Sequence, residues 1–334
     1  NDIAKMAGVA KASVSLALSD HPRISEETKL KIRKIADEIG YAPAKNRGIV
    51  AKSVNRSIGI LFFHSSVENS GEFFRDTIMG ITDASYRLDY NAVLLRVPEQ
   101  RNEPSEGVVQ LLRRSGVDGA IVISPSPDVY GLEEVLESGF PLVFIGKRSI
   151  PGIEPHFVAS DNHGGGKSAT QYLIDLGHRE IGIAIPPKDV IFPWEEDRID
   201  GYFSALRQAD IPIRDELIFT VASPFSPQDA GWNAFGRSRM TALFAITPHT
   251  GLSVMQRLHQ SNKTIPRDLS LIVFDNFAYS IEQPPITVMK QDMEALGKQA
   301  VKLLAEIMDH PDSAPKQLLL PTQLVANASC SSPL

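Results

Sequence analysis

The sequence contains one cysteine in 334 residues, Cys330, close to its C-terminal end. That excludes an intrachain disulfide and any zinc site built on cysteine. The eight histidines never fall into the H-E-x-x-H spacing of a helical metal site, and no G-x-S-x-G elbow is present to hold a serine nucleophile. Gly166-Lys167-Ser168 ends like a phosphate-binding loop, but that loop needs a glycine five residues before Gly166, where Asp161 stands. Glu195-Glu196-Asp197 reads as the solvated start of a helix rather than as paired acid and base. We therefore expect no catalytic residue, no metal and no cofactor. No run approaches the ~20 apolar residues that cross a bilayer, and no leader opens the chain, so a cytoplasmic location without membrane attachment is expected.

What is present is ordinary in bulk, with 43% apolar and 22% charged residues, and long enough for a small head and two further domains. The charge is unevenly placed. Residues 1–56 hold eleven Lys/Arg against six Asp/Glu, whereas the remainder holds twenty-three against thirty-four. A basic head on an acidic body is what phosphate binding by one module requires, and the overall pI of about 5.8 conceals it.

The head reads as a helix-turn-helix. Ala4 stands where two helices cross closely, Gly8 where the backbone needs positive φ, and Val9 at the turn. From Lys11 to Leu18 helical spacing resumes, with Val14 and Leu18 inward and Lys11, Ala12, Ser15 and Leu16 outward. Ser25 is a good N-cap with Glu26 and Glu27 behind it, and Leu30, Ile32, Ile35, Ala36 and Ile39 form an apolar stripe that ends at Gly40. Lys29, Lys31 and Lys34 of that third helix add to the basic charge of the head, with a plain solvated helix face as the alternative reading. In a helix-turn-helix the second helix enters the major groove of DNA.

Asp2-Ile3-Ala4, Ala7-Gly8-Val9-Ala10, Val14-Ser15, Leu18, Ser25, Thr28 and Gly40-Tyr41-Ala42-Pro43 fall in register without a gap. In these residues the chain resembles the lactose repressor (LacI/GalR) family of bacterial transcriptional regulators. The resemblance implies that Lys11, Ala12, Ser13, Ser15 and Leu16 face DNA, with Lys11 as the best reader of base edges. Leu16 stands where many relatives carry an arginine; it can meet a thymine methyl but cannot donate to guanine. The segment 44–56 matches a hinge helix that folds on operator DNA, and its intercalating leucine falls on Val50, a shorter wedge.

From Ser57 onwards apolar runs alternate with helical stretches. Residues 58–63, 92–95, 120–123 and 142–145 read as buried parallel strands, with helices over 73–88, 105–115 and 132–138. A second series has helices over 166–176, 196–208 and 251–260 and strands over 181–185, 217–221, 242–246 and 270–274. Repeated βα units give parallel sheets, and two of them in tandem leave a cleft. The expected fold class is thus an all-α helix-turn-helix headpiece on an α/β core of two doubly wound subdomains.

The resemblance continues through Phe157–Gly166, Leu176–Ile181, Arg198–Leu206, Ile265–Ser270, Phe274-Asp275 and Lys290–Asp292. It implies a periplasmic-binding-protein-like core, with a headpiece over 1–43, a hinge over 44–56, an N-subdomain over about 57–159 and 289–320, and a C-subdomain over about 160–288 and 321–331. It further implies a homodimer on double-stranded palindromic operator DNA, nucleoid-associated, acting as a repressor under a small-molecule effector, most simply a carbohydrate. The implied effector residues are Phe73, Ser124, Arg198, Phe225, Thr247, Asp275 and Gln291. Arg198 is read as a guanidinium fork for vicinal oxygens, with a surface charge as its alternative; Asp275 stands at a strand's carboxyl end, where open α/β sheets bind ligands. Thr247-Pro248 replaces the family's usual Asn-Asp, and Val273 a usual glycine. Residues 327–334 carry no leucine heptad, so no tetramerising tail is expected. A solute-binding protein or a sugar-modifying enzyme on the same fold is the alternative; a basic head argues against the first, and ligand turnover would reveal the second.

Overall fold

In a computed structural model, the structure describes residues 2–10, 13–14, 17, 24–38, 56–62, 71–97, 107–123, 132–150, 152–187, 191–221, 239–275 and 284–333. The head contains helices α1 (Asp2–Ala7) and α2 (Glu26–Glu38), with Ser13, Val14 and Ala17 helical between them. Ala7, Val14, Ala17 and Ile32 are buried together, and Ala4, Val9, Ile24 and Ile35 pack on them. Gly8 turns the chain at φ 70°. The Ser25 hydroxyl meets that of Thr28 at 2.8 Å, and Lys31 Nζ donates to the Ala7 carbonyl at 3.1 Å, closing the end of α1.

Two expectations for α2 are corrected. Leu30 is 65% exposed, because it lies about 200° around the helix from the buried Ile32. Lys29, expected in solvent, is only 5% exposed, since it precedes Ile32 by three residues on the inward row.

The core has two sheets of the same design. The first is ordered β11-β5-β4-β3-β1-β2, all parallel, from β1 (Ser57–Phe62), β2 (Asn91–Arg96), β3 (Gly119–Ile123), β4 (Leu142–Ile145), β5 (His156–Ser160) and β11 (Gln317–Leu320). Helices α3 (Gly71–Arg87), α4 (Val108–Ser115), α5 (Leu132–Glu137) and α9 (Met293–Asp309) belong to this lobe. The second sheet is ordered β12-β10-β9-β8-β6-β7, from β6 (Ile181–Ile185), β7 (Ile218–Thr220), β8 (Ala242–Ala245), β9 (Ser270–Phe274), β10 (Thr287–Lys290) and an antiparallel β12 (Gln323–Val325). Its helices are α6 (Asn162–Asp175), α7 (Pro193–Gln208) and α8 (Pro248–Gln260). The central strands β3, β4, β6, β8 and β9 are buried along their whole length, which is why they read as continuous apolar runs.

The chain crosses between lobes after β5, after β10 and after β11. The second crossing, expected at about residue 289, falls after Lys290, because Thr287–Met289 pair with Ile272–Phe274 in the second sheet. The helix expected from Gly166 begins four residues earlier, at Asn162, where Asp161 caps it by accepting from the Gly164 amide at 2.8 Å.

Each lobe is closed by two helices that cross at glycines. A Cβ on Gly166 would sit 2.2 Å from the Arg198 carbonyl oxygen, and one on Gly201 2.3 Å from that of His163, so α6 and α7 meet backbone to backbone. In the first lobe Gly80 of α3 and Gly297 of α9 do the same, at 2.1 Å from the Glu294 oxygen and 2.3 Å from the Thr77 oxygen. The run Gly164–Gly166 is thereby explained without a phosphate. Gly164 makes room for the Asp161 cap, Gly165 for the Phe274 ring and Thr322 hydroxyl, and Gly166 for α7.

Candidate functional site

Arg198 sits in the second turn of α7 and is 4% exposed. It is held from three directions at the carboxyl edge of the second sheet. Its Nε donates to Asn162 Oδ1 at 2.8 Å, and one terminal nitrogen donates to the Ile246 carbonyl at 2.8 Å. Its plane covers the Phe274 ring, 3.6 Å from the centroid. The other terminal nitrogen makes no hydrogen bond among the described residues and stands 3.7 Å from Asp275 Oδ2. The α6–α7 glycine crossing sets this position, and Tyr202, one turn on, ties α7 to β6 through its hydroxyl on the Ile181 carbonyl at 2.7 Å.

Asp275 follows directly on β9, is 7% exposed and has left-handed backbone at φ 67°. A non-glycine residue in that region is strained and persists where its contacts fix it. Here the Asp275 amide donates to the Met289 carbonyl at 2.8 Å, while its carboxylate accepts from the Gln291 amide at 3.2 Å and from Gln291 Nε2 at 2.7 Å. Burial pushes the Asp275 carboxyl up, against the Arg198 charge and the two Gln291 bonds. Burial pulls Arg198 down, against Asp275 and Glu195, but guanidinium stays charged in proteins. Glu195 is itself raised by burial, opposed first by the bond its carboxylate accepts from the Phe192 amide at 2.9 Å and then by Arg198.

The structure therefore brings Arg198, Asp275 and Gln291 into one cluster, at the mouth between the lobes where β10 crosses over. Thr247 stands beside it, one residue after the carbonyl that holds Arg198. Its hydroxyl caps α8 by accepting from the Thr250 amide at 3.1 Å, and Pro248 occupies the first helical position. Phe73 packs on the apolar core of the first lobe. Ser13 is helical, its amide donating to the Ala10 carbonyl at 2.9 Å. Lys11, Ala12, Ser15, Leu16, Val50, Ser124 and Phe225 lie outside the described residues.

Four residues escaped the reading of the sequence. Asn162 fixes the Arg198 fork and is itself oriented by donating from Nδ2 to the Ser160 carbonyl at 3.1 Å. Its signal was a polar residue just after a lobe crossing. Lys147, next to the turn after β4, pairs with Asp197 at 3.2 Å and alone among ion pairs between described residues joins the two lobes. Phe192 and Trp194 stack at the start of α7, with ring centroids 4.5 Å apart and planes 10° off parallel. Among the described residues, no cluster of three or more His, Cys, Asp or Glu is arranged to hold a metal, and no helix is long and apolar enough to cross a membrane.

Comparison with known proteins adds to this geometry. Residues 1–44 match the family described as bacterial regulatory proteins, lacI family, and residues 170–330 match a periplasmic binding protein-like domain. The HTH-type transcriptional regulator RegA of Clostridium saccharobutylicum is 29% identical over 335 residues, covering 98% of each chain. The HTH-type transcriptional repressor PurR of Vibrio vulnificus (strain CMCP6) is 28% identical over 314 residues, covering 91% of this chain and 90% of that one. The crystal structure of a LacI family transcriptional regulator from Enterococcus faecium with bound ribose superposes with a TM-score of 0.65, at 25% identity, over 83% of this chain and 99% of that one.

Proposed function

We propose that the chain is a bacterial transcriptional regulator of the lacI family, a cytoplasmic repressor which binds a palindromic operator as a homodimer and releases or grips it when a sugar or sugar derivative enters the cleft. The observation that carries the reading is the Arg198–Asp275–Gln291 cluster at the interlobe mouth of a core joined to a basic helix-turn-helix head.

A half-bonded guanidinium beside a carboxylate offers alternating donors and acceptors, the pattern that vicinal hydroxyls satisfy. The bound ribose of the Enterococcus faecium relative supports that ligand class. In mechanism, a ligand bonded to Arg198 and Asp275 from the second lobe and to the first lobe across the cleft stabilises one lobe angle over others. Its differential affinity for that angle, typically worth about 1–3 kcal/mol, is what the two heads sense. The head reads sequence through Lys11 and its neighbours Ala12, Ser13, Ser15 and Leu16, and Val50 is the minor-groove wedge. No step calls for bond making in the ligand.

The test is enrichment of duplexes from a randomised pool by the whole protein, repeated with Lys11→Ala. Enrichment of one inverted repeat, with nanomolar, salt-sensitive affinity that Lys11→Ala weakens by about 1–3 kcal/mol, is expected. Failure to enrich any sequence sinks the reading.

A further inference from the structure

We propose that Arg56 is the residue that fixes where, and in which direction, the tether of the DNA-binding head leaves the core. The proposal rests on the DNA-binding reading above and adds to it a positioning residue outside both the head and the cleft.

Arg56 is the last residue before β1, and its side chain closes a knot of three elements. Its Nε donates to the Asp89 carbonyl at 2.9 Å, and a terminal nitrogen donates to the Leu88 carbonyl at 2.6 Å. The guanidinium lies 3.4 Å from Asp89 Oδ2 and 4.9 Å from the centre of the Tyr90 ring. Its own carbonyl accepts from the Asn91 amide at 2.7 Å, where β2 begins. The carbonyls it takes are those just past the end of α3, which have no partner within the helix and sit at the negative end of its dipole. Although Arg56 is half exposed, a cation that bridges both carbonyls, pairs with a carboxylate and lies over a ring has several partners where an ordinary surface arginine has one.

The backbone gives an independent sign. Arg56 has φ 43°, a left-handed conformation that is strained for an arginine and persists where surrounding contacts impose it. Strain at the junction of two modules sets a direction there. With the clasp in place, the chain N-terminal to Arg56 leaves the lobe at a defined angle beside the α3–β2 turn. Without it, residue 56 keeps only the backbone bond from its carbonyl to the Asn91 amide, its φ is released, and the first fully fixed residue becomes Ser57, whose amide is bonded to Asp118 at 3.0 Å.

The consequence falls on operator spacing. One more extended residue adds about 3.5 Å of reach per head, so about 7 Å for two heads, which equals roughly two base pairs of rise. A repressor with clasped tethers discriminates against half-sites moved apart by that distance, and one with loosened tethers tolerates them. The residue positions the heads; it reads no base.

The experiment uses the full chain and the inverted repeat enriched by it, with zero, one or two base pairs inserted at the centre. For the unaltered protein a two-base-pair insertion costs about a hundredfold in affinity, the loss of one head's avidity. For Arg56→Ala the same insertion costs less than about fivefold, while affinity for the original repeat falls by about tenfold. Arg56→Lys, which keeps the charge but not the fork, falls between. Arg87→Ala, which removes an exposed arginine paired with Asp83 on the same helix, keeps the unaltered spacing penalty. The quantity read is each variant's own ratio of affinities for the original and the inserted repeat, which a change in the folded fraction alone does not move. If Arg56→Ala retains the full penalty, the proposal is overturned. If the unaltered protein enriches no repeat, the DNA-binding reading fails first, and that failure is visible before any variant is made.

Discussion

The glycine crossing of α6 and α7 yields the sharpest quantitative prediction, for Gly201→Ala. The new Cβ would stand 2.3 Å from the His163 carbonyl oxygen and 2.6 Å from the Lys167 amide nitrogen, where ordinary contact begins near 3.4 Å. Both obstacles are backbone, so no rotamer change relieves the clash, and the helices must separate by about 1 Å. Overpacking costs about 1–3 kcal/mol, and helix propensity returns up to about 1 kcal/mol on replacing glycine by alanine. The net is a loss of about 1–2 kcal/mol from the second lobe. Because α7 carries Arg198, the same displacement stretches the 2.8 Å bond to Asn162 and loosens the cluster. Gly80→Ala is the matched control. Its Cβ would stand 2.1 Å from the Glu294 oxygen, so the cost is similar, but it falls on α3 and α9 of the first lobe. Urea unfolding followed by hydrogen exchange separates the two. Gly201→Ala should speed exchange in β6–β10 and Gly80→Ala in β1–β5. Unchanged urea midpoints, or faster exchange in the opposite lobe, would refute the close crossing.

Three further outcomes are expected. Asp275→Asn leaves the buried Arg198 charge without its carboxylate and costs about 3 kcal/mol, and Arg198→Met on top of it costs less than the sum by about 1–3 kcal/mol; strict additivity in urea unfolding would contradict the pairing. His178, bonded to Thr241, Ser270 and the Ser331 carbonyl, is held by burial below its ordinary value of 6.5, as His156 is. The unfolded chain therefore binds more protons below that pH, so stability is level above about pH 6.5 and falls as the solution is acidified through the folded values; midpoints that stay flat from pH 8 to 5 would count against this. Lys147→Ala removes a partly exposed pair worth at most about 1 kcal/mol, so global stability barely changes, yet the lobes should open and the radius of gyration in X-ray scattering should rise; identical scattering would mean the pair holds nothing.

The elements most legible in the sequence were those whose burial is one-dimensional. Ala120–Ile123 and Ser270–Phe274 are covered on both faces, so their apolar runs have no other reading. β5, β10, β11 and β12 went unmarked because they are short and carry polar ends, such as His156, Thr287, Gln317 and Gln323. The long α9 was missed although its inward residues Leu296, Ala300, Leu303, Leu304 and Ile307 recur at helical spacing. Leu30 misled for the opposite reason, since an apolar residue on a helix marks the core only if it shares the phase of its neighbours. In the site, Arg198, Asp275 and Gln291 were found through the resemblance, and their meeting depends on chain crossings that local pattern does not encode. Glu195 and Asp197 read in the sequence as the solvated start of a helix, and Asn162 only as part of the run Phe157–Gly166, ahead of a helix expected from Gly166. Their roles come from what the second lobe and the turn after β4 place opposite them.

The central claim is that a ligand seen by Arg198 changes the grip of a distant head on DNA. It is tested most directly by titrating the enriched operator duplex with the whole protein, by fluorescence anisotropy at fixed salt, against a panel of sugars, sugar acids and sugar phosphates, in parallel with Arg198→Met. The account predicts that one ligand shifts operator affinity by about 5–150-fold in the unaltered protein, and that Arg198→Met binds the operator equally well but no longer responds. Operator affinity that no ligand moves, or a response that survives in Arg198→Met, would contradict it.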